Sequence, residues 1–359
     1  MLSLKIKEFF YKLSTDKKNS PLLFLLKIFL LLLSFFYYIV IKILFFLQTS
    51  AKEKFKAKII SVGNITWGGT GKTPLVEIVS KYLKEKGLSV AVVTRGYGEN
   101  KRQNIISDEV MILSRKLKGI PVIVNANKRK GIKEAEKKYN ANFVVLDDGF
   151  QEWNINKDLE ILVMDSANPF GNHRLIPRGI LREPISSLKR ADIFVLNKID
   201  LIRDKESLYK LKEIFKKINP RAYLFDAFYL PVTLRNLISQ KEESLELLKG
   251  KEVCIFSGIA SPDSFKITME KLGGKINLIF EFLDHYPYRE SDLIKICSLC
   301  ERRGIKILVT TEKDEVRINP FIKKIKERFT QLDIFSLIVE LKILAIEEFY
   351  VRISSLFNN

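Results

Sequence analysis

The segment VGNITWGGTGKTPLV, residues 62–76, carries chemistry most plainly. It includes Gly71-Lys72-Thr73, the end of a phosphate-binding loop, although the usual G-x-x-x-x-G-K-[ST] spacing needs glycine at 66, where Thr66 stands. Gly68, Gly69 and Gly71, with Thr70 among them, let backbone N–H groups converge on an anion. A helix beginning at Lys72 adds the positive end of its dipole, and Pro74 suits its first turn, where an N–H has no intrahelical partner. In that arrangement Lys72 reaches the β- and γ-phosphates of a nucleotide and the Thr73 hydroxyl ligates Mg²⁺. Losing the glycine at 66 weakens the pattern match but not the physics of anion binding.

Such a site also needs a carboxylate for the metal at the end of a neighbouring apolar strand. FVVLDDGF, residues 143–150, supplies Asp147 and Asp148. Consecutive strand side chains point to opposite faces, so both can share one metal only if the strand ends there, as Gly149 suggests. Two histidines occur, His173 and His285. A hydroxyl that accepts phosphate gains from a base placed in line with the γ-phosphate. His285, in FLDHYPYRES just after a strand, is a candidate, with a packed or solvated ring as the alternative. Arg174, Arg178 and Arg182 form a cluster able to meet an acidic substrate group. A rival reading starts from VLNKID, residues 195–200, an N-K-x-D in which Lys198 would pack over guanine and Asp200 accept from it. Its usual companion D-x-x-G is missing, because Leu146 stands three residues before Gly149.

Residues 21–48, PLLFLLKIFLLLLSFFYYIVIKILFFLQ, could form a helix about 40 Å long. Lys27 and Lys42 interrupt it and, with Ser34 and Tyr38, make a narrow polar stripe on an apolar cylinder. That pattern suits a helix lying in a membrane interface, or dipping in with its lysines snorkelling. The apolar run is too long for a secretory signal and lacks a small-residue cleavage site. Flanking lysines, Lys5, Lys7, Lys12, Lys17 and Lys18 before it and Lys52, Lys54, Lys56 and Lys58 after it, favour an anionic leaflet.

The 359 residues are enough for about two domains. A net charge of +19 points to an anionic partner: nucleic acid, a phospholipid surface or a phosphorylated substrate. Three cysteines, Cys254, Cys297 and Cys300, imply no disulfide framework. Apolar runs at 58–62, 89–94, 120–124, 142–148, 159–165 and 191–197 alternate with helical patterns, which predicts a doubly wound α/β domain with a mostly parallel sheet. The expected organisation is a membrane-associating helix over 1–50, a phosphate-loop domain over 51–220 and a smaller α/β domain over 221–359.

SVGNITWGGTGKTP, TRGYG, SDEV, LDDGFQ, RLIPRGILREP, DHYPY and TTEKD occur in this order. With them the chain resembles the tetraacyldisaccharide 4′-kinase family. The resemblance implies transfer of the γ-phosphate of ATP, with Mg²⁺, to the 4′-hydroxyl of an acylated glucosamine disaccharide 1-phosphate in lipid A biosynthesis. It places the chain on the cytoplasmic face of the bacterial inner membrane, with no nucleic-acid partner. A membrane-associated regulatory GTPase is the alternative. Carried over by motif, Lys72 and Thr73 belong to the phosphate loop, and Asp147 and Asp148 to the metal segment. Asp108, paired with His285, would deprotonate or orient the sugar hydroxyl. Glu183 would stand near metal and substrate, and Arg95, Arg129 and Gln151 would contact the head group. The chain departs from the family where Glu152 replaces a histidine and where Ser107 and Val110 flank the acidic pair.

Overall fold

The structure, a computed structural model, describes Leu13 and residues 23–96, 107–202 and 204–357. Lys5, Lys7, Lys12, Lys17 and Lys18, and Tyr97 and Gly98 of the TRGYG segment, lie outside the described residues. The chain forms two compact units, Met1–Phe228 with Leu341–Asn359, and Tyr229–Glu340.

The first unit contains α1 (Phe24–Thr49), β1 (Lys58–Gly63), α2 (Lys72–Glu85), β2 (Val90–Thr94), α3 (Asp108–Lys116), β3 (Val122–Val124), α4 (Lys128–Tyr139), β4 (Phe143–Asp147), β5 (Leu159–Asp165), β6 (Ile193–Asn197) and α5 (Lys205–Ile218). The long strand β7 (Tyr223–Asn236) begins in this unit. The strand order is β7-β6-β5-β1-β4-β2-β3, with every pair parallel. Strands β1, β2, β4 and β6 are apolar almost throughout because helices cover both faces. Ile59, Ala91, Val93, Ile132 and Val144 pack in one core, and Phe150, Leu162, Met164, Phe194 and Phe215 in another. The register sets Val62 of β1 beside Asp147 of β4, so the loop leaving β1 starts next to the acidic pair.

The second unit holds β8 (Glu242–Glu243), β9 (Glu252–Ser257), α6 (Pro262–Lys271), β10 (Lys275–Glu281), α7 (Glu290–Arg302), β11 (Ile307–Thr311) and α8 (Glu312–Arg328). Its parallel strands run β10-β9-β11-β12, where β12 spans Asp333–Ile343. Cys254, Cys297 and Cys300 are free thiols buried in its core. The structure builds α8 through Pro320 and seals its start with Thr311, whose hydroxyl accepts from the Asp314 N–H at 3.3 Å.

The sequence reading gives residues 221–359 to one domain, whereas Leu341–Asn359 falls within the first unit. Helix α9 (Ile346–Ser354) explains this placement. Its Phe349 and Ile353 are fully buried, Phe349 meets Phe225 edge-on, and Tyr350 stacks on Tyr82 of α2 with ring centroids 3.9 Å apart.

Candidate nucleotide and acceptor site

The phosphate loop lies between β1 and α2. Gly68 and Gly71 take left-handed φ angles of 128° and 105°, which only glycine adopts without strain. Asn64, fully buried at the end of β1, ties the loop to itself: its amide donates to the Thr66 carbonyl at 2.9 Å and the Thr70 hydroxyl at 3.2 Å. From β6, Asn197 donates to the Thr70 carbonyl at 2.8 Å. Lys72, at the first position of α2, donates to Asn64 Oδ1 at 3.1 Å.

Strand β4 ends at Asp147, and Asp148 adopts a left-handed φ of 56°, so strand alternation stops between the two carboxylates. Asp147 is buried and accepts from the Thr94 hydroxyl at 3.0 Å. Burial, and then the neighbouring Asp148 charge, push its carboxyl above the ordinary range. Asp148 shows the opposite balance. Burial raises it, but Lys72 at 3.5 Å and Arg182 at 2.8 Å together hold it well below the usual carboxylate range. Lys128, at the start of α4, is buried and donates its ammonium to the carbonyls of Asp147 at 2.6 Å and Asp148 at 2.5 Å. Burial lowers its pKa.

Beside this cluster opens a cavity of about 280 Å³ lined by Arg95, Asn127, Lys128, Arg129, Asp148, Gln151, Glu152 and Arg182, with Gln48 of α1 at its edge. Glu152 lies 3.8 Å from Arg95 and 3.9 Å from Lys128, and Glu53 pairs with Arg129 at 3.5 Å. The lining is cationic with two acidic counterweights, a chemistry suited to a polar anionic group.

Helix α1 docks on the first unit along one narrow line. Ser34 is buried and donates to the Leu175 carbonyl at 2.9 Å while accepting from the Arg178 N–H at 3.0 Å. Tyr37 donates to the Arg182 carbonyl at 2.9 Å, and Phe45 packs edge-on against Trp153. The polar stripe expected from the sequence is therefore divided: Ser34 faces the protein, whereas Lys42 is exposed and lies 5.6 Å from the Tyr38 ring centroid. Phe24, Phe29, Leu32, Phe35, Phe36, Ile43, Phe46 and Leu47 remain exposed, and the helix is long and apolar enough to cross a membrane.

A family model for tetraacyldisaccharide-1-P 4′-kinase matches residues 26–357. The chain belongs to the tetraacyldisaccharide 4′-kinase family. The tetraacyldisaccharide 4′-kinase of Halothermothrix orenii is 36% identical over 327 residues, covering 84% of this chain and 85% of that protein. The enzyme of the same name from Syntrophus aciditrophicus is 34% identical over 292 residues, covering 75% and 78%. The crystal structure of LpxK from Aquifex aeolicus in complex with ATP aligns with a TM-score of 0.68 at 26% identity, over 92% of this chain and 99% of its own.

The GTPase reading gives way to membership of the tetraacyldisaccharide 4′-kinase family. The residues that suggested it have tasks inside the first unit: Asn197 holds the phosphate loop, and Lys198 pairs with Asp165 at 2.5 Å. Of the residues assigned by likeness to the 4′-kinases, Arg95, Arg129 and Gln151 line the same cavity as Asp148. Glu183, placed near metal and substrate by that likeness, is held by its neighbours. It is 1% exposed, its Oε1 accepts from Gln151, Trp153 and Arg190, and its Oε2 accepts from Arg190 at 2.8 Å. With both oxygens engaged by these donors, the carboxylate orders Gln151 and Trp153. Asp108 opens α3, whose cap is Ser107, accepting from the Val110 N–H at 3.4 Å. His285 belongs to the second unit, in a left-handed turn at φ 58°. Sequence reasoning missed Asn64, Lys128 and Arg190. Asn64 was visible as a polar residue directly after a strand, but Lys128 was one lysine among many.

Proposed function

We propose that the chain transfers the γ-phosphate of ATP to the 4′-hydroxyl of a tetraacylated glucosamine disaccharide 1-phosphate at the cytoplasmic face of the inner membrane. The observation that carries this reading is the convergence of Lys72, Asp148 and Arg182 at the base of the phosphate loop, beside a cationic cavity that the apolar helix α1 borders. An acylated acceptor does not leave the bilayer readily, so an exposed apolar helix next to the site brings enzyme and acceptor together. Exposed lysines following α1 suit an anionic leaflet.

The phosphate loop and Lys72 bind and orient the triphosphate, whose terminal charge Lys72 offsets. The 4′-oxygen bonds to the γ-phosphorus as the bond to the β–γ bridging oxygen breaks and ADP leaves. By family likeness, Asp108 paired with His285 would deprotonate or orient that hydroxyl. Hydroxyl and carboxylate oxygens are the hard donors Mg²⁺ takes, and the end of β4 beside the loop offers them. Thr73, Asp147 and Asp148 would hold the ion, which when bound would neutralise charge on the β- and γ-oxygens.

The test is incubation of the purified full chain with radiolabelled ATP, Mg²⁺ and the disaccharide 1-phosphate lipid. Label in the lipid only when that acceptor is present supports the reading. GTP turnover that ignores the acceptor overturns it.

A further inference from the structure

Lys128 has no role in the scheme above, yet its placement opposes two ordinary preferences. Lysine is almost never fully buried unless paired, and Lys128 is 2% exposed. A cation is also least favoured in the first turn of a helix, where the dipole is positive, and Lys128 opens α4 directly after its cap, Asn127. What the ammonium gains there is contact with two main-chain oxygens, the carbonyls of Asp147 at 2.6 Å and Asp148 at 2.5 Å. Glu152 Oε1, at 3.9 Å, balances its charge from beyond hydrogen-bond distance.

These carbonyls belong to the turn that carries the acidic pair. Asp148 has a φ of 56°, a region that residues with a Cβ enter only at a cost. On the β1 side the turn is already fixed: the Gly149 N–H donates to the Val62 carbonyl at 3.1 Å, and a Cβ at 149 would lie 2.6 Å from Ser61 Oγ. The carboxylates are engaged separately, Asp147 by the Thr94 hydroxyl at 3.0 Å and Asp148 by Arg182 at 2.8 Å and Lys72 at 3.5 Å. Lys128 supplies the remaining hold, on the main chain between them. An ammonium suits that task, because its three N–H donors rotate on a flexible stem and can meet successive carbonyls, whereas a guanidinium presents a fixed fork.

We propose that Lys128 is a positioning residue for the metal segment: by holding the Asp147 and Asp148 carbonyls it keeps the left-handed turn, and with it the spacing of the two carboxylates that would take Mg²⁺. The proposal rests on the reading that Asp147 and Asp148 hold the ion. Groups that orient metal ligands without touching the metal govern its affinity, commonly by about 10- to 100-fold.

The test is the binding of Mn²⁺, which takes the same oxygen donors as Mg²⁺, to the purified full chain with ADP, read by electron paramagnetic resonance. Lys128→Met keeps the length of the side chain and removes its donors. It is expected to raise the Kd for Mn²⁺ about 10- to 100-fold, to raise in parallel the Mg²⁺ needed for half-maximal turnover, and to leave the Kd for ADP in EDTA within about twofold. Lys128→Gln, whose neutral amide can still donate, is expected to show a smaller rise. Ile132→Val loosens the buried face of α4 away from the turn, and is expected to lower the thermal midpoint with the Kd for Mn²⁺ unchanged. Wild-type Mn²⁺ affinity in Lys128→Met, or in Lys128→Gln if only that variant folds, overturns the proposal. An equal loss of affinity in Ile132→Val, or failure of both Lys128 variants to fold, overturns it too, because Lys128 is then a general stabiliser of α4. If Asp148→Asn binds Mn²⁺ as tightly as the wild type, the placement of the ion is what fails. Weak binding by Asp148→Asn with normal binding by Lys128→Met strikes the positioning role alone.

Discussion

Tyr37 donates its hydroxyl to the Arg182 carbonyl at 2.9 Å, and the Arg182 guanidinium reaches Asp148 at 2.8 Å. The same short segment is bonded to the phosphate loop, through Arg182 N–H to the Ile65 carbonyl and Trp67 N–H to the Ile180 carbonyl, both at 2.7 Å. One face of this strap therefore carries α1 and the other carries the loop. Tyr37→Phe leaves a part-buried carbonyl without its donor, a loss of about 1–3 kcal/mol. Expressed as misplacement of Arg182, that is a roughly five- to 150-fold lower kcat. Vesicle sedimentation should be unchanged, because the exposed apolar face of α1 is untouched. A variant with normal kcat would show that the helix serves only as an anchor.

Lys72 and Asp148 face each other across 3.5 Å, and the transferred phosphate would bring further charge to the same place. Lys72→Ala removes the ammonium on which the phosphates depend, and turnover should fall about 100- to 1,000-fold or more. Single-turnover assays at saturating ATP separate this from a change in affinity. Retention of near-normal turnover would remove Lys72 from the chemistry.

The depressed pKa of Asp148 makes a statement about pH and stability. A carboxyl whose folded pKa lies below its unfolded value of about 3.9 contributes stability that is fully present above that value and is lost as pH falls through the folded pKa. Asp147, raised by burial and by Asp148, acts in the opposite sense and offsets part of the effect. Asp148→Asn removes the depressed group and relieves Asp147 at once. Denaturant unfolding should then show a smaller drop in stability between pH 7 and pH 3 for the variant than for the wild type. An equal drop would mean that Lys72 and Arg182 do not hold the ionised form.

Gly63 ends β1 where the chain passes close to Phe150. A Cβ there would lie 2.6 Å from Phe150 Cβ and 2.8 Å from its backbone nitrogen, too close for either to yield easily. Gly63→Ala should cost about 1–3 kcal/mol in stability through overpacking, read as a lower midpoint in thermal unfolding. An unchanged midpoint would place the two segments farther apart than described.

The phosphate loop, the acidic pair and the parallel sheet were legible in the sequence because each depends on local pattern: glycines at fixed spacing, carboxylates at a strand end, apolar runs of strand length. What was not legible depends on partners far along the chain. The apolar stripe of α9 announces a buried face but not that Tyr82 and Phe225 supply its partners. Ser34 reads as polar relief on a membrane helix until the loop at 175–178, some 140 residues away, is seen to meet it. Lys128 looks like its exposed neighbours, and only the fold carries it beneath the Asp147 and Asp148 carbonyls.

Glu183 can be weighed between two roles, a structural anchor and a metal ligand. The carboxylate is fully enclosed, and its cationic partner Arg190 stacks over Phe150 at 4.0 Å and Phe45 at 5.1 Å, so this buried pair also holds α1 against the first unit. Removing one member of a buried pair leaves the other uncompensated, so Arg190→Met should destabilise the protein by about 3–5 kcal/mol. Glu183→Gln keeps the shape and some of the hydrogen bonds, and should be milder. A metal ligand would behave differently: its replacement would raise the Mg²⁺ concentration needed for half-maximal activity. If Glu183 serves only to order Gln151 and Trp153, Glu183→Gln should lower thermal stability and leave that Mg²⁺ midpoint where it is. A midpoint shifted upward, with stability unchanged, would return Glu183 to the metal.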